Sequence, residues 1–172
     1  MKTKFLCCVL ACALAIVALG LDAAGQTRRG RRQARGAVCF DPTRPCKTEA
    51  TFQPHDLPFR VPPSGAIWES EFFYAIILTS LRFKNEDCSR HFIPESQRLE
   101  TQALFPNRKV FTSRCGEAGE VYYSNTNPNT NFMAVYGGRT QSEAARMLAT
   151  VKATGKFPGA NIRRMYIGFN GT

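Results

Sequence analysis

The sequence predicts an α+β fold: a small, disulfide-stapled single domain in which an antiparallel sheet carries two helices packed on one face. Three observations predict it. Strand-like runs cluster mostly between two helix-like runs, one of those helices opens with a capping box, and four cysteines remain once an apolar leader is set aside.

The leader comes first. Lys2 and Lys4 precede an apolar run from Phe5 to Leu19, and small residues follow. That pattern reads as a secretory signal peptide over 1–25, cut after Gly20 or Gly25. The run is shorter than the roughly 20 residues a helix needs to span a bilayer, and nothing after residue 25 is apolar for as long, so no membrane span is expected. From Gln26 onward 21 basic residues face 12 acidic ones, a net charge of +9. Five of the basic residues are arginines between Arg28 and Arg35, and without them the charge falls to +4. The positive character is thus concentrated in an arm, residues 26–36, that has no aliphatic side chain larger than alanine and cannot bury a core face.

Cys39, Cys46, Cys88 and Cys115 make an even set in a secreted chain, which reads as two disulfides. Three connectivities are possible. Cys39 with Cys46 and Cys88 with Cys115 is favoured, because the first pair closes the short loop CFDPTRPC; the second would close a longer loop contributing about 3 kcal/mol by chain entropy. With no CxxC pair and two histidines, a zinc site is set aside and no cofactor is expected. Residues 37–63 carry six prolines and read as an extended strap pinned by a disulfide. The compact domain is then expected over 64–172.

Its first element, SGAIWESEFFYAIILTSLRFKN, is expected to be a helix. Trp68, Phe72, Ile76, Thr79 and Phe83 fall near helical spacing, with Glu69 and Glu71 near the start and Arg82 and Lys84 near the end. The run FFYAIIL is apolar on all sides, so a buried strand fits it as well. Residues 94–106 are polar and have no clear period. Next, RKVFTS reads as a short strand, and EVYYS and FMAVY read as a hairpin around the turn segment NTNPNTN. In TQSEAARMLATVKATG, Thr140 and Glu143 form the capping box, Ala144, Met147, Leu148 and Val151 line one face, and Gly155 ends the helix. The closing IRRMYIGF alternates Met165, Ile167 and Phe169 with other residues, as a strand with one apolar face does.

Nucleophile elbows, phosphate-binding glycine loops and zinc helices have no match here. The Gly-Gly of VYGGRT could hold an anion at a helix start beside Arg139, but a strand-to-helix turn needs the same glycines. His55 and His91 are the candidates for acid–base work near neutral pH. A ribonuclease-like toxin or nuclease would need a base, an acid and a cation at one phosphate, and His91, Glu100 and Arg114 are the set that could supply them. Nucleic-acid binding is not favoured: Arg163, Arg164 and Tyr166, or Arg108, Lys109 and Phe111, interleave cations and rings only briefly.

Two Arg-Arg pairs stand after the leader and before the first disulfide cysteine, so Arg29 and Arg32 are candidate processing sites for a dibasic-cutting protease of the secretory pathway. The leader, the RRGRR arm, four mature cysteines and one compact domain without an enzyme motif together resemble the small secreted effectors of plant-pathogenic fungi, smut fungi in particular. The resemblance is one of organisation; no motif transfers residue by residue. It implies a secreted, non-enzymatic virulence effector, monomeric, that binds a protein of a host or neighbouring organism, with later uptake into host cells left open. The turn asparagines Asn125, Asn127, Asn129 and Asn131, with Arg139 and Arg163, are the candidate contacts, since binding specificity gathers on loops held by a rigid scaffold. If the arm is processed, intact-mass analysis of the naturally secreted protein will find an N-terminus between Gly30 and Gly36. A start at Leu21 or Gln26 would contradict cutting and favour the other reading of a five-arginine tail, electrostatic binding to phosphates or acidic glycans.

Overall fold

The computed structural model describes residues 35–42, 44, 46–48, 52–63, 67–83, 91–114 and 121–170. The segment expected to be a leader, Arg29 and Arg32, and the cysteines Cys88 and Cys115 lie outside the described residues. Among those described, nine strands and two helices follow one another: β1 (Ala37–Val38), β2 (Phe59–Arg60), β3 (Ile67–Glu69), β4 (Phe73–Arg82), α1 (Glu95–Leu104), β5 (Val110–Thr112), β6 (Val121–Tyr123), β7 (Thr130–Gly138), α2 (Gln141–Ala153), β8 (Asn161–Met165) and β9 (Ile167–Asn170). They form a four-stranded sheet in the order β5-β7-β4-β8, a three-stranded sheet β3-β9-β6 and a small pair β1-β2, and every ladder is antiparallel. The fold is mixed, antiparallel and mostly sheet. No helix among the described residues is long and apolar enough to cross a membrane.

The expected first helix is instead β3 and β4. Phe73, Ala75 and Ile77 enter one apolar cluster, while Ile76 and Leu78 enter another. A strand covered on both faces needs no polar alternation, which is why FFYAIIL is unbroken and its near-helical spacing carries no meaning. Its β-branched and aromatic residues suit an extended, pleated backbone.

The first cluster joins β4 and β7 to the three-stranded sheet through Tyr123, Phe132, Tyr136, Met165 and Ile167. Fully buried aromatic side chains such as Phe73 and Phe111 each contribute roughly 1.5–3 kcal/mol by leaving water. Val38, Leu57, Phe59 and Val61 join the same cluster, so the proline-rich strap supplies core residues as well as covering them. The Cys39–Cys46 disulfide is present, with Cα atoms 5.6 Å apart. Gly36 starts this segment in close quarters: its N–H donates to Glu69 O, its carbonyl accepts from Glu71, and a Cβ would collide with the Arg60 carbonyl oxygen.

The second cluster takes Ala144, Met147 and Val151 from α2, which packs on β7, β4 and β8. The capping box forms as expected, with Glu143 N–H donating to Thr140 Oγ1 and Thr140 N–H to Glu143 Oε2. Gly155, at φ 68°, follows the helix end.

The other helix does not match the one expected. α1 arises in the polar segment that had no clear period, and it seals a sheet edge. Gln102 Oε1 accepts from Val110 N–H at 2.8 Å, and buried Arg98 donates to Val110 O at 3.0 Å while Glu95 holds it by a paired contact. Thr112 N–H goes to His55 O. Three outer backbone groups of β5, an edge strand, are thereby satisfied by side chains and strap backbone, which covers much of the edge. Helix and sheet meet here through polar groups, so hydrophobic periodicity had nothing to report.

Strands also change sheets. The final apolar run is two strands, β8 in the large sheet and β9 in the small one, and the expected β6–β7 hairpin joins the two sheets instead of one pair. At one corner the fully buried Ser70 holds the crossing: its N–H donates to Ile167 O at 2.8 Å, and its Oγ accepts from Ile167 N–H at 3.1 Å and donates to Glu71 O at 2.7 Å. Ser70→Ala leaves a buried N–H unpaired and will cost about 1–3 kcal/mol in urea denaturation, whereas alanine at the exposed Ser80 will cost little.

Candidate functional site

The NTNPNTN segment crosses from β6 in the small sheet to β7 in the large one. Asn125, at its start, has φ 56°, the one positive φ among described residues other than glycine. Asparagine tolerates this left-handed conformation better than most side chains. Its Nδ2 donates to Arg164 O at 3.0 Å, and its carbonyl accepts from Arg163 Nη1 at 3.0 Å. Ser124 and Tyr166 exchange two further bonds, Ser124 N–H to Tyr166 O and Tyr166 N–H to Ser124 Oγ. The loop is therefore clamped onto the β8–β9 junction. Downstream, Asn127 Oδ1 accepts from Asn129 N–H at 2.9 Å and its carbonyl from Thr130 N–H, an Asx-type turn that stiffens the exposed tip.

A β-bulge decides what lies beneath. Ile77 pairs with Ala134 and Thr79 with Met133, so Leu78 is an extra residue in β4. The insertion puts Ser80 and Arg82 on the same face as Ile77, because Ser80 pairs with Phe132 and Arg82 with Thr130. Arg163 and Asn161 of β8 share that face, paired with Ala75 and Ile77. Together with Thr126 and Asn127 from the loop they enclose a cleft of about 310 Å³. A second cavity of about 360 Å³ lies on the loop's other flank, lined by Phe83, Ser113, Arg114, Tyr122 and Asn131 among others. No acidic residue lines either cavity among the described residues.

Of the expected contacts, Asn127 and Arg163 line this cleft, Asn125 is bonded to Arg163, and Asn129 is exposed on the same loop. Asn131 belongs to the scaffold instead: it is buried, its Nδ2 donates to His91 O at 2.6 Å and its Oδ1 accepts from Ser113 Oγ at 3.4 Å. Arg139 is elsewhere, past the far end of β7, where its Nε donates to Glu71 Oε1 at 2.7 Å. The Glu71 carboxylate beside it raises its pKa. The anion site imagined at VYGGRT is filled from within, since Glu143 Oε2 accepts from both Arg139 and Thr140 N–H groups, and these bonds lower the Glu143 pKa. Arg82, Ser80 and Asn161 were not among the sequence candidates. The sequence signal for Arg82 is a charge at the end of an apolar run, which suits a helix terminus equally well.

The proposed nuclease residues divide. Arg114 lies over the Phe92 ring at 5.8 Å, and His91 stacks on Phe83 at 6.2 Å, so these two share the neighbourhood of the second cavity. Glu100 stands on the exposed side of α1, two residues along from buried Arg98, and no hydrogen bond, ion pair or cavity joins it to His91 or Arg114 among the described residues. His55 is buried, with Nε2 3.4 Å from Asp56 Oδ1. Burial foremost, then the charge of Arg114, lowers its pKa from 6.5 to about 4, so it is a neutral structural group. The mixed cation–aromatic runs are also engaged internally: Arg164 lies 4.2 Å over Phe72, and Arg108 lies over Phe40 and Tyr136. No group of three or more His, Cys, Asp or Glu placed to hold a metal ion occurs among the described residues.

No protein-family model matches the chain, and neither does any curated protein or solved structure compared with it.

Two measurements check this geometry. Asn125→Ala loses both the left-handed tolerance and the bond to Arg164, and will cost about 1–2 kcal/mol; Asn125→Gly keeps the backbone conformation and will cost less. A neutral His55 binds no proton where the unfolded chain does, so stability is fully present above pH 6.5 and falls as pH drops toward 4, by about 3 kcal/mol in all. Urea midpoints from pH 7 to 4.5 will show that slope in the wild type and a smaller one in His55→Asn.

Proposed function

We propose that this chain is a secreted, non-enzymatic binding protein, a virulence effector acting on a protein of a host or neighbouring organism, and that it makes contact through the clamped loop 124–130 and the cleft beneath it. The observation that carries this reading is the Asn125 clamp. A residue in a sparsely populated backbone conformation is held by bonds to Arg163 and Arg164, and the outcome is a stiff, exposed, polar loop over a cationic cleft. Backbone strain of this kind persists where the surroundings over-determine it, and a pre-organised loop loses little entropy on binding. The leader and the resemblance to small fungal effectors support secretion and a host-directed role.

The test compares capture from host extracts by the oxidised wild-type protein, by an Asn127→Ala/Asn129→Ala variant and by Arg139→Ala. Wild type and Arg139→Ala will retain the same partner, and the loop variant will lose at least about tenfold in affinity for it. Equal capture by all three contradicts the loop assignment. RNA cleavage by the wild type that disappears in His91→Ala contradicts the non-enzymatic reading.

A further inference from the structure

We infer that the cleft under the loop receives an aliphatic carboxylate, the side chain of a glutamate or aspartate on an acidic segment of the partner. This rests on the reading of the loop as a binding surface and names the chemistry that the surface selects.

Most other arginines described around this fold are already committed. Arg98 is held by Glu95, Arg139 by Glu71, and Arg164 and Arg108 lie on aromatic rings. Arg82 and Arg163 differ. They stand on one face of the large sheet, on neighbouring strands β4 and β8, and both line the same cleft, from which acidic residues are absent among those described. Arg163 is oriented by a single described bond, Nη1 to Asn125 O, which leaves the remaining donors of its planar fork for a ligand. The Arg82 side chain is exposed, and its guanidinium has no hydrogen-bond or ion-pair partner among the described residues. Two arginines lining one cleft make it cationic, and each planar guanidinium fork suits a carboxylate.

The rest of the lining selects what carries that carboxylate. Ile77 and Phe132 form apolar wall, which suits the methylene stem of an acidic side chain. Ser80, Thr126 and Asn161 offer hydroxyl and amide groups to the peptide units on either side. A free phosphate would use the guanidiniums and leave the apolar wall without contact. At about 310 Å³ the space is at the small end of ligand sites, enough for one or two side chains.

The experiment titrates the mature chain, labelled with ¹⁵N, with the peptide acetyl-Gly-Glu-Gly-amide and follows the arginine Nε–H and asparagine side-chain signals. The expected result is saturable shifts at Arg82, Arg163 and Asn161 with a Kd on the order of a millimolar, weakened about tenfold for the Gln counterpart of the peptide, and with the Asn161 shift lost in Arg82→Gln/Arg163→Gln. Equal shifts with the Gln peptide overturn the inference, and so does tighter binding of inorganic phosphate at the same signals. Arg82 is exposed but Arg163 is half-buried and bonds Asn125 O, so a retained cooperative urea transition verifies that the variant is folded, and Arg82→Gln alone, which leaves that bond in place, will also weaken the peptide. Partner capture that depends on Asn127 and Asn129 yet survives Arg82→Gln/Arg163→Gln also overturns it, while leaving the binding loop in place. Capture that depends on neither pair of substitutions overturns the loop reading itself.

Discussion

Four times the chain leaves one sheet for the other, between β3 and β4, β5 and β6, β6 and β7, and β8 and β9, and the corners where this happens constrain everything else. A crossing interrupts the ladder, so backbone groups there need partners from outside it. Ser70 supplies them at the β3–β4 corner with both its backbone and its hydroxyl, and Ser124 does the same for Tyr166 at the β8–β9 corner. Buried N–H and C=O groups without partners would cost more than short strands can return. Serine is small enough to sit in these corners and polar enough to satisfy them.

The same crossings create the cleft. Because β6 and β7 belong to different sheets, their connection spans a gap where a tight turn would otherwise close a hairpin. Asn125 turns the chain at the start of that span, and the Leu78 bulge rotates Ser80 and Arg82 toward it. Sequence supplies the unusual residues, the left-handed asparagine and the extra leucine; the sheet geometry turns them into a surface. Among the described arginines, Arg98, Arg139 and Arg164 are engaged by carboxylates or rings of the fold itself, whereas Arg82 and Arg163 line the cleft.

Elements governed by local rules were readable in advance. The capping box and Gly155 delimit α2, β-branched and aromatic residues mark β5, β6 and β7, and the close spacing of Cys39 and Cys46 pointed to their bridge. Elements governed by tertiary surroundings were not. β4 lacks alternation because helix α2 covers one face and the small sheet the other, and α1 has no apolar stripe because Arg98, Thr101 and Gln102 form its inner side or its bonds to β5. For the site, composition pointed to the asparagine loop and Arg163, yet it could not separate exposed Asn127 from buried Asn131. Arg139 looked available because its partner, Glu71, lies 68 residues away in the chain.

Hydrogen exchange read by mass spectrometry, on the oxidised protein free and in complex with its captured partner, tests the central claim most directly. Binding at the clamped loop and cleft predicts new protection in the 124–130 segment and in the peptides carrying Ser80, Arg82 and Arg163, with the α2 start around Arg139 unchanged. Protection confined to 139–146 or to the peptides carrying His91 and Arg114 would contradict it.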